Sequence, residues 1–199
     1  MSAREEILSK VRANLPGGDH PLPDLPHFPV DHDGDRTSYF LKSLDEMGGK
    51  HFTGTVGELL AQRFSDAQVV ASLVPEIDGT RDIGAAGDPG ELADVDVAIV
   101  RAAFAIAETG TVALPDENLG VNAVAYLAQH LIVLVDPDDI EMGLQDAYRR
   151  SDMAAHRYLA FHSGPSATAD IEGVLIHGAQ GVRSLTVVFA SDKGPVQAP

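Results

Sequence analysis

Six short apolar runs mark the second half of the chain: "DVAIV" (96–100), "FAIA" (104–107), "TVAL" (111–114), "LIVLV" (131–135), "YLAF" (158–161) and "SLTVVFA" (184–190). Each is rich in apolar or β-branched side chains and lacks the strict polar alternation of a half-wet strand, so each predicts a strand covered on both faces. Segments of helical length stand between several of them: "VNAVAYLAQ" (121–129), "EMGLQDAYRR" (141–150) and "TADIEGVLI" (168–176). The first half carries the same alternation. Ser2 and Glu5 form a capping box ahead of Ile7, Leu8, Val11 and Leu15, one apolar face of a helix ending near Leu15. Phe40, Leu41, Leu44 and Met47 lie on a second helical face stopped by Gly48 and Gly49, and "KHFTG" (50–54) follows as a short strand. Thr55 and Glu58 box a third helix carrying Leu59, Leu60 and Phe64, before the strand-like "QVVASL" (68–73). Apolar strands alternating with helices predict an α/β fold, with a mainly parallel sheet and helices on both faces.

Between the first two helices, residues 16–35 hold five prolines and predict an extended linker. The expected organisation is a helix over 1–15, a Pro/Gly-rich linker over 16–36, an α/β domain over 37–193 and a flexible tail over 194–199. Hydrophobic residues make up 44% of the chain and charged ones 22%, enough apolar material for a core. Lys and Arg total 14 against 30 Asp and Glu, and the net charge of −16 repels phosphate backbones, so no nucleic-acid partner is expected. No run approaches the ~18 apolar residues of a membrane span, and the opening "MSAREEILSKVRANL" lacks the apolar stretch of a signal peptide; the expected location is cytoplasmic. The absence of cysteine excludes disulfides, thiolate zinc sites, a cysteine nucleophile and a cysteine-ligated iron–sulfur cluster within this chain.

Two junctions hold the candidate chemistry. "AIAETGTVAL" (105–114) places Glu108, Thr109, Gly110 and Thr111 at a bend between two strands, where a lone carboxylate more often faces water in a hairpin turn but also suits a base or nucleophile. "FHSGPSATADIEG" (161–173) sends a strand into Ser163, Gly164, Pro165 and Ser166 and then a helix headed by Thr168, with Asp170 and Glu172 following. Hydroxyls and free N–H groups at a helix start suit a small anionic ligand, or an ordinary N-cap. Thr168 stands where a nucleophile elbow needs its last glycine, which excludes a serine hydrolase, and "IGAAG" (83–87) lacks dinucleotide spacing. His20, His27 and His32 match no zinc motif, so no metal site is expected; His162 and His177 flank the second junction and can approach one ligand there. Arg157, Arg183 and Lys193 are the basic residues near it in sequence.

Together "AIAETGTVAL", "HLIVLVD" (130–136) and "SGPSATADIEGVLIHGAQGVRSLTVVF" (163–189), with the opening "REEILSKVRANL", resemble the lactate-utilisation protein C family, also called the LUD or YkgG-type domain. The resemblance implies a three-layer α/β fold similar to the glucosamine-6-phosphate isomerase, ribose-5-phosphate isomerase and CoA-transferase group. It implies a role in oxidising L-lactate to pyruvate with iron–sulfur partner proteins, this subunit carrying no cluster and no other cofactor. "AETGT" (107–111) is similar to the arrangement in CoA-transferases of that group, making Glu108 the candidate catalytic residue. The candidate substrate-binding residues are Thr109, Gly110 and Thr111 at the first bend and Ser163, Gly164, Pro165 and Ser166 at the second. Thr168, Asp170, Glu172, His177 and Gly178 complete the set. The chain departs from the family at "NLGVNAVAYLAQH" (118–130), which lacks the usual arginine and prolines, and at Gln180, where histidine is usual. Two other classes stay open: a stand-alone CoA-transferase-like or isomerase-like enzyme using Glu108, and a non-catalytic module.

Overall fold

The apolar runs that read as fully covered strands form the centre of the molecule. The computed structural model describes residues 2–19, 21, 23–85, 88–170, 172–179 and 181–190. The expected tail, Lys193, Gln180 and His20 lie outside them. In chain order the helices are α1 (Ala3–Ala13), α2 (Arg36–Glu46), α3 (Val56–Arg63), α4 (Asp116–Leu119), α5 (Val124–Leu127) and α6 (Leu144–Tyr148). The strands are β1 (Lys50–His51), β2 (Val70–Ser72), β3 (Val97–Arg101), β4 (Phe104–Ile106), β5 (Thr111–Pro115), β6 (His130–Val135), β7 (Ile140–Glu141), β8 (Leu159–His162), β9 (Ala167–Thr168), β10 (Ile176–His177) and β11 (Ser184–Phe189).

Five strands in the order β1-β11-β6-β3-β2 pair in parallel throughout. Their side chains alternate between two cores, as the period of a strand requires. Ala98, Val100, Leu131, Val133, Leu185 and Val187 face Phe40 and Leu44 of α2, Leu119 of α4 and Val124 of α5. Val97, Ile99, Ile132, Leu134 and Val188 face Val56 and Leu59 of α3. The expected α/β architecture, a mainly parallel sheet with helices on both faces, is thus observed. The capping boxes at Ser2/Glu5 and Thr55/Glu58 are both formed.

A second sheet, β7-β4-β5-β8, covers the first core. β5 pairs antiparallel with both β4 and β8, while β7 joins β4 in parallel. Its far face buries Phe104, Ile106 and Ala113 against Ala147 of α6, with Leu159 and Phe161 beside them. Both candidate bends belong to this mixed sheet and not to the rim of the parallel one. Apolar runs of four residues look alike in either sheet, so the pattern alone did not separate them.

The helix expected over 168–176 is absent. β9 and β10 form an antiparallel hairpin instead, with Thr168 opposite Ile176 and the turn bent through positive φ at Glu172 (55°) and Gly173 (71°). A helix here would need a partner for its apolar stripe, yet Val174 and Leu175 stay 60% and 61% exposed. The hairpin satisfies backbone groups locally without that burial. The other two expected helices shrink to single turns, α5 and α6. The proline-rich stretch is fastened at its second half: Phe28 N–H donates to Gln145 Oε1 (2.7 Å), Gln145 Nε2 donates to the Pro26 carbonyl (3.3 Å), and His27 meets Asp146 (2.9 Å).

Candidate functional site

The hairpin of β4 and β5 carries the first bend, and register decides what it reaches. Val112 opposes His162, so Thr111 lies beside Ser163 across the β5–β8 ladder. Thr109 Oγ1 and Thr111 Oγ1 share a hydrogen bond of 2.7 Å, and Thr111 Oγ1 shares another of 2.5 Å with Ser163 Oγ. Three hydroxyls therefore form one chain linking the bends. Gly110 turns at φ 60°, and a Cβ there would collide with the α2 backbone at Ser43 and Leu44. Gly164 turns at φ 83° against the Met47 carbonyl at the end of the same helix. The small residues at both bends thus have one structural cause, close seating on the last turns of α2.

Glu108 points elsewhere. Its Oε2 accepts from the Leu144 N–H (2.8 Å), the first residue of α6, and the side chain is exposed. A carboxylate at a helix start satisfies an orphan donor.

The second bend borders a cavity of about 250 Å³, lined by Tyr126 of α5, His162, the loop 163–166 and Gly181. Glu108 does not line this cavity. The loop is pinned from behind: Ser166 N–H donates to the Val182 carbonyl (3.0 Å), and Gly178 N–H donates to the Ser166 carbonyl (2.7 Å). Gly178 thus holds the wall without lining it. Thr168 Oγ1 donates to Asp170 Oδ2 (3.0 Å) and accepts from the Asp170 N–H, a local turn on the exposed hairpin, with Glu172 at its tip. His177 is exposed, lies near Gly48 and Pro165, and does not line the cavity. Arg157 and Arg183 are exposed and do not line the cavity.

His162 is the titratable group of this wall. Neither ring nitrogen has a hydrogen-bond partner among the described residues, and Nε2 is fully buried. Burial holds its pKa below the usual histidine value, so the imidazole is neutral at pH 7. An orphaned buried nitrogen costs about 1–3 kcal/mol. The His162 ring lies 5.1 Å from that of Tyr126, whose hydroxyl bonds Tyr158 (2.9 Å) and is pushed up to about 12 by burial and that neighbour. Tyr126 and Gly181 escape notice in the sequence because the first sits in a run that reads only as a helix face and the second in a loop without a motif. The linker histidines are held individually, His27 by Asp146 and His32 stacked on Tyr39 at 3.9 Å. No group of three or more metal-ligating side chains converges among the described residues. No helix among the described residues is long and apolar enough to cross a membrane.

Known proteins share this fold. A crystal structure of a DUF162 family protein from Deinococcus radiodurans matches with a TM-score of 0.57 over 78% of this chain and 96% of that one, at 20% identity, which shows a common fold. Lactate utilization protein C of the same organism is 33% identical over 101 residues, 49% of this chain and 48% of that protein. The match spans about half the length of this relative. A family model for the LUD domain covers residues 90–190, which include the β4–β5 hairpin, the loop 163–166 and all but the first strands of the parallel sheet. The chain belongs to the LUD domain family.

Proposed function

We propose that this chain serves L-lactate utilisation as a component without an iron–sulfur cluster of its own, working beside partner proteins that carry the clusters. The observation that carries this reading is the similarity to lactate utilization protein C. The composition supports it: with no cysteine, the chain offers no thiolate to a cluster. Deleting its gene is expected to abolish growth on L-lactate as sole carbon source while growth on pyruvate continues, and the tagged chain is expected to co-purify with proteins showing iron–sulfur absorbance. Normal growth of the deletion strain on L-lactate would refute the proposal.

Within that component Glu108 acts as a positioning residue for α6 rather than as a base, since its carboxylate is committed to the Leu144 N–H. Glu108→Ala removes the acceptor and is expected to cost about 0.5–1 kcal/mol of stability, read by urea unfolding. Glu108→Gln keeps an acceptor oxygen. It is expected to leave lactate-dependent electron transfer in the complex within about twofold, whereas a loss of about 100-fold or more at unchanged stability would make Glu108 the general base.

A further inference from the structure

We infer that α1 is an arm that seats on the β9–β10 hairpin of a second copy of this chain, each copy of a two-fold pair lending its arm to the other.

Two apolar surfaces stand without a cover. α1 buries no residue, although Ile7, Val11 and Leu15 recur at the spacing of one helical face and stay more than half exposed. A helix of 11 residues is marginal in water by itself, so its stripe stabilises it only when something packs there. The hairpin is the second surface. It joins neither of the larger sheets, pairs two residues of β9 with two of β10, and presents Val174 and Leu175 to solvent. Two strands alone are marginal as well.

Charge matches one surface to the other. Residues 1–15 carry Arg4, Lys10 and Arg12 against Glu5 and Glu6, a net positive segment in a chain of net charge −16. Lys10 pairs with Glu6 within the helix (2.8 Å), while Arg4 and Arg12 stand four residues either side of Leu8, on the border of the stripe. The hairpin carries Asp170 and Glu172 beside Val174 and Leu175, and residues 163–182 hold no Lys or Arg. An apolar patch bordered by cations thus meets an apolar patch bordered by acids.

The same features select a second copy as the occupant. Within one copy both surfaces stay bare. Residues beyond Ala190 offer one large aliphatic side chain, Val196, too little to cover either. The stretch from Asn14 to Pro26, where Gln145 fastens the chain, reaches at most roughly 40 Å when extended, far enough to leave a body whose radius of gyration is on the order of 15 Å. Pro16, Pro21 and Pro23 favour the extended form. One arm on one hairpin falls short of the ~1,200–2,000 Å² of a stable interface, and two-fold exchange makes the contact twice. The pair is still weak, so dilute solutions hold single copies.

The test is sedimentation velocity of the purified full-length chain from about 1 to 500 µM, a range that reads micromolar to near-millimolar affinities. The unaltered chain is expected to pass from one copy to two across it. Val11→Asp sets an acid on the arm against an acidic hairpin, and Leu175→Lys sets a cation on the hairpin against a cationic arm. Each variant alone is expected to associate about 20-fold more weakly or worse, because the penalty falls on both contacts of the pair. An equimolar mixture of the two is expected to recover association to within about fivefold of the unaltered chain, since one contact is native and the other joins the new carboxylate to the new ammonium. Val11 and Leu175 are 55% and 61% exposed, so the fold should survive both changes. Urea unfolding in dilute solution checks this, and Ile7→Asp with Val174→Lys is a second pair on the same surfaces. A chain that stays single at every concentration overturns the inference, as does a pair that neither variant weakens or a mixture no better than its components. Pairing needs no part of the function proposed above, so either can fail while the other stands.

Discussion

Replacing Gly164 by alanine is expected to lower the free energy of unfolding by about 3 kcal/mol or more. Two costs combine. Gly164 adopts φ 83°, where an L side chain is strained by about 1–2 kcal/mol. The new methyl would also stand inside contact distance of the Met47 carbonyl oxygen, a backbone atom at the end of α2 that has little room to retreat. Gly173 separates the two terms. It turns at a similar φ of 71°, yet a Cβ there meets nothing within 4 Å. Gly173→Ala is therefore expected to cost only about 1 kcal/mol. Urea unfolding of both variants reads the difference, and equal losses would show that conformation, not the seating of the loop on α2, makes Gly164 necessary. The same variant should open the cavity wall, because the loop that must shift carries Ser163 and Ser166.

The glycines also show what was legible in advance. The crowding of small and hydroxyl-bearing residues at 108–111 and 163–166 is plain in the sequence, and the structure does join the two bends through Thr111 and Ser163. Their reason was not legible. A glycine reports that a Cβ is excluded but not what excludes it, and here the obstacle is a helix 60 or more residues earlier in the chain. Glu108 was drawn into the same constellation by adjacency in sequence. A single turn reverses direction between neighbours, so the carboxylate caps α6 while the hydroxyl of Thr111, three residues on, meets Ser163 just past β8.

Secondary structure divides in a similar way. Strands β3, β6 and β11 were readable because burial on both faces leaves an uninterrupted apolar run, and α1 and α3 because capping boxes are local chemistry. The hairpin of β9 and β10 was not, since "TADIEGVLI" carries a helical spacing that only a packing partner could exploit. Tertiary supply of that partner is what overrides propensity. His162 was visible as a histidine beside the loop, but its neutrality and its two unpartnered nitrogens follow from the covering of β8 by Tyr126, which has no local signature.

Phe40→Ala is expected to be the most damaging single truncation, at about 3–5 kcal/mol. The side chain is 0% exposed in the core between α2 and the parallel sheet, with its ring 6.4 Å from that of Phe189 at the end of β11. Truncation loses the transfer energy of a benzyl group and leaves a void that backbone on both sides keeps from closing. Against the 5–15 kcal/mol typical of a whole domain, that loss populates the unfolded chain measurably. The damage should also spread to the cavity, since α2 seats Gly110 through Ser43 and Leu44 and Gly164 through Met47, and both bends loosen with it. Ile7→Ala supplies the contrast. Ile7 lies on an equally apolar helical stripe, but it is 61% exposed and α1 buries no residue at all. Its truncation is expected to change stability by no more than about 0.5 kcal/mol. Thermal and urea unfolding of the two variants measure the gap, and a cost for Ile7→Ala close to that of Phe40→Ala would mean that α1 packs against the body of the protein in solution.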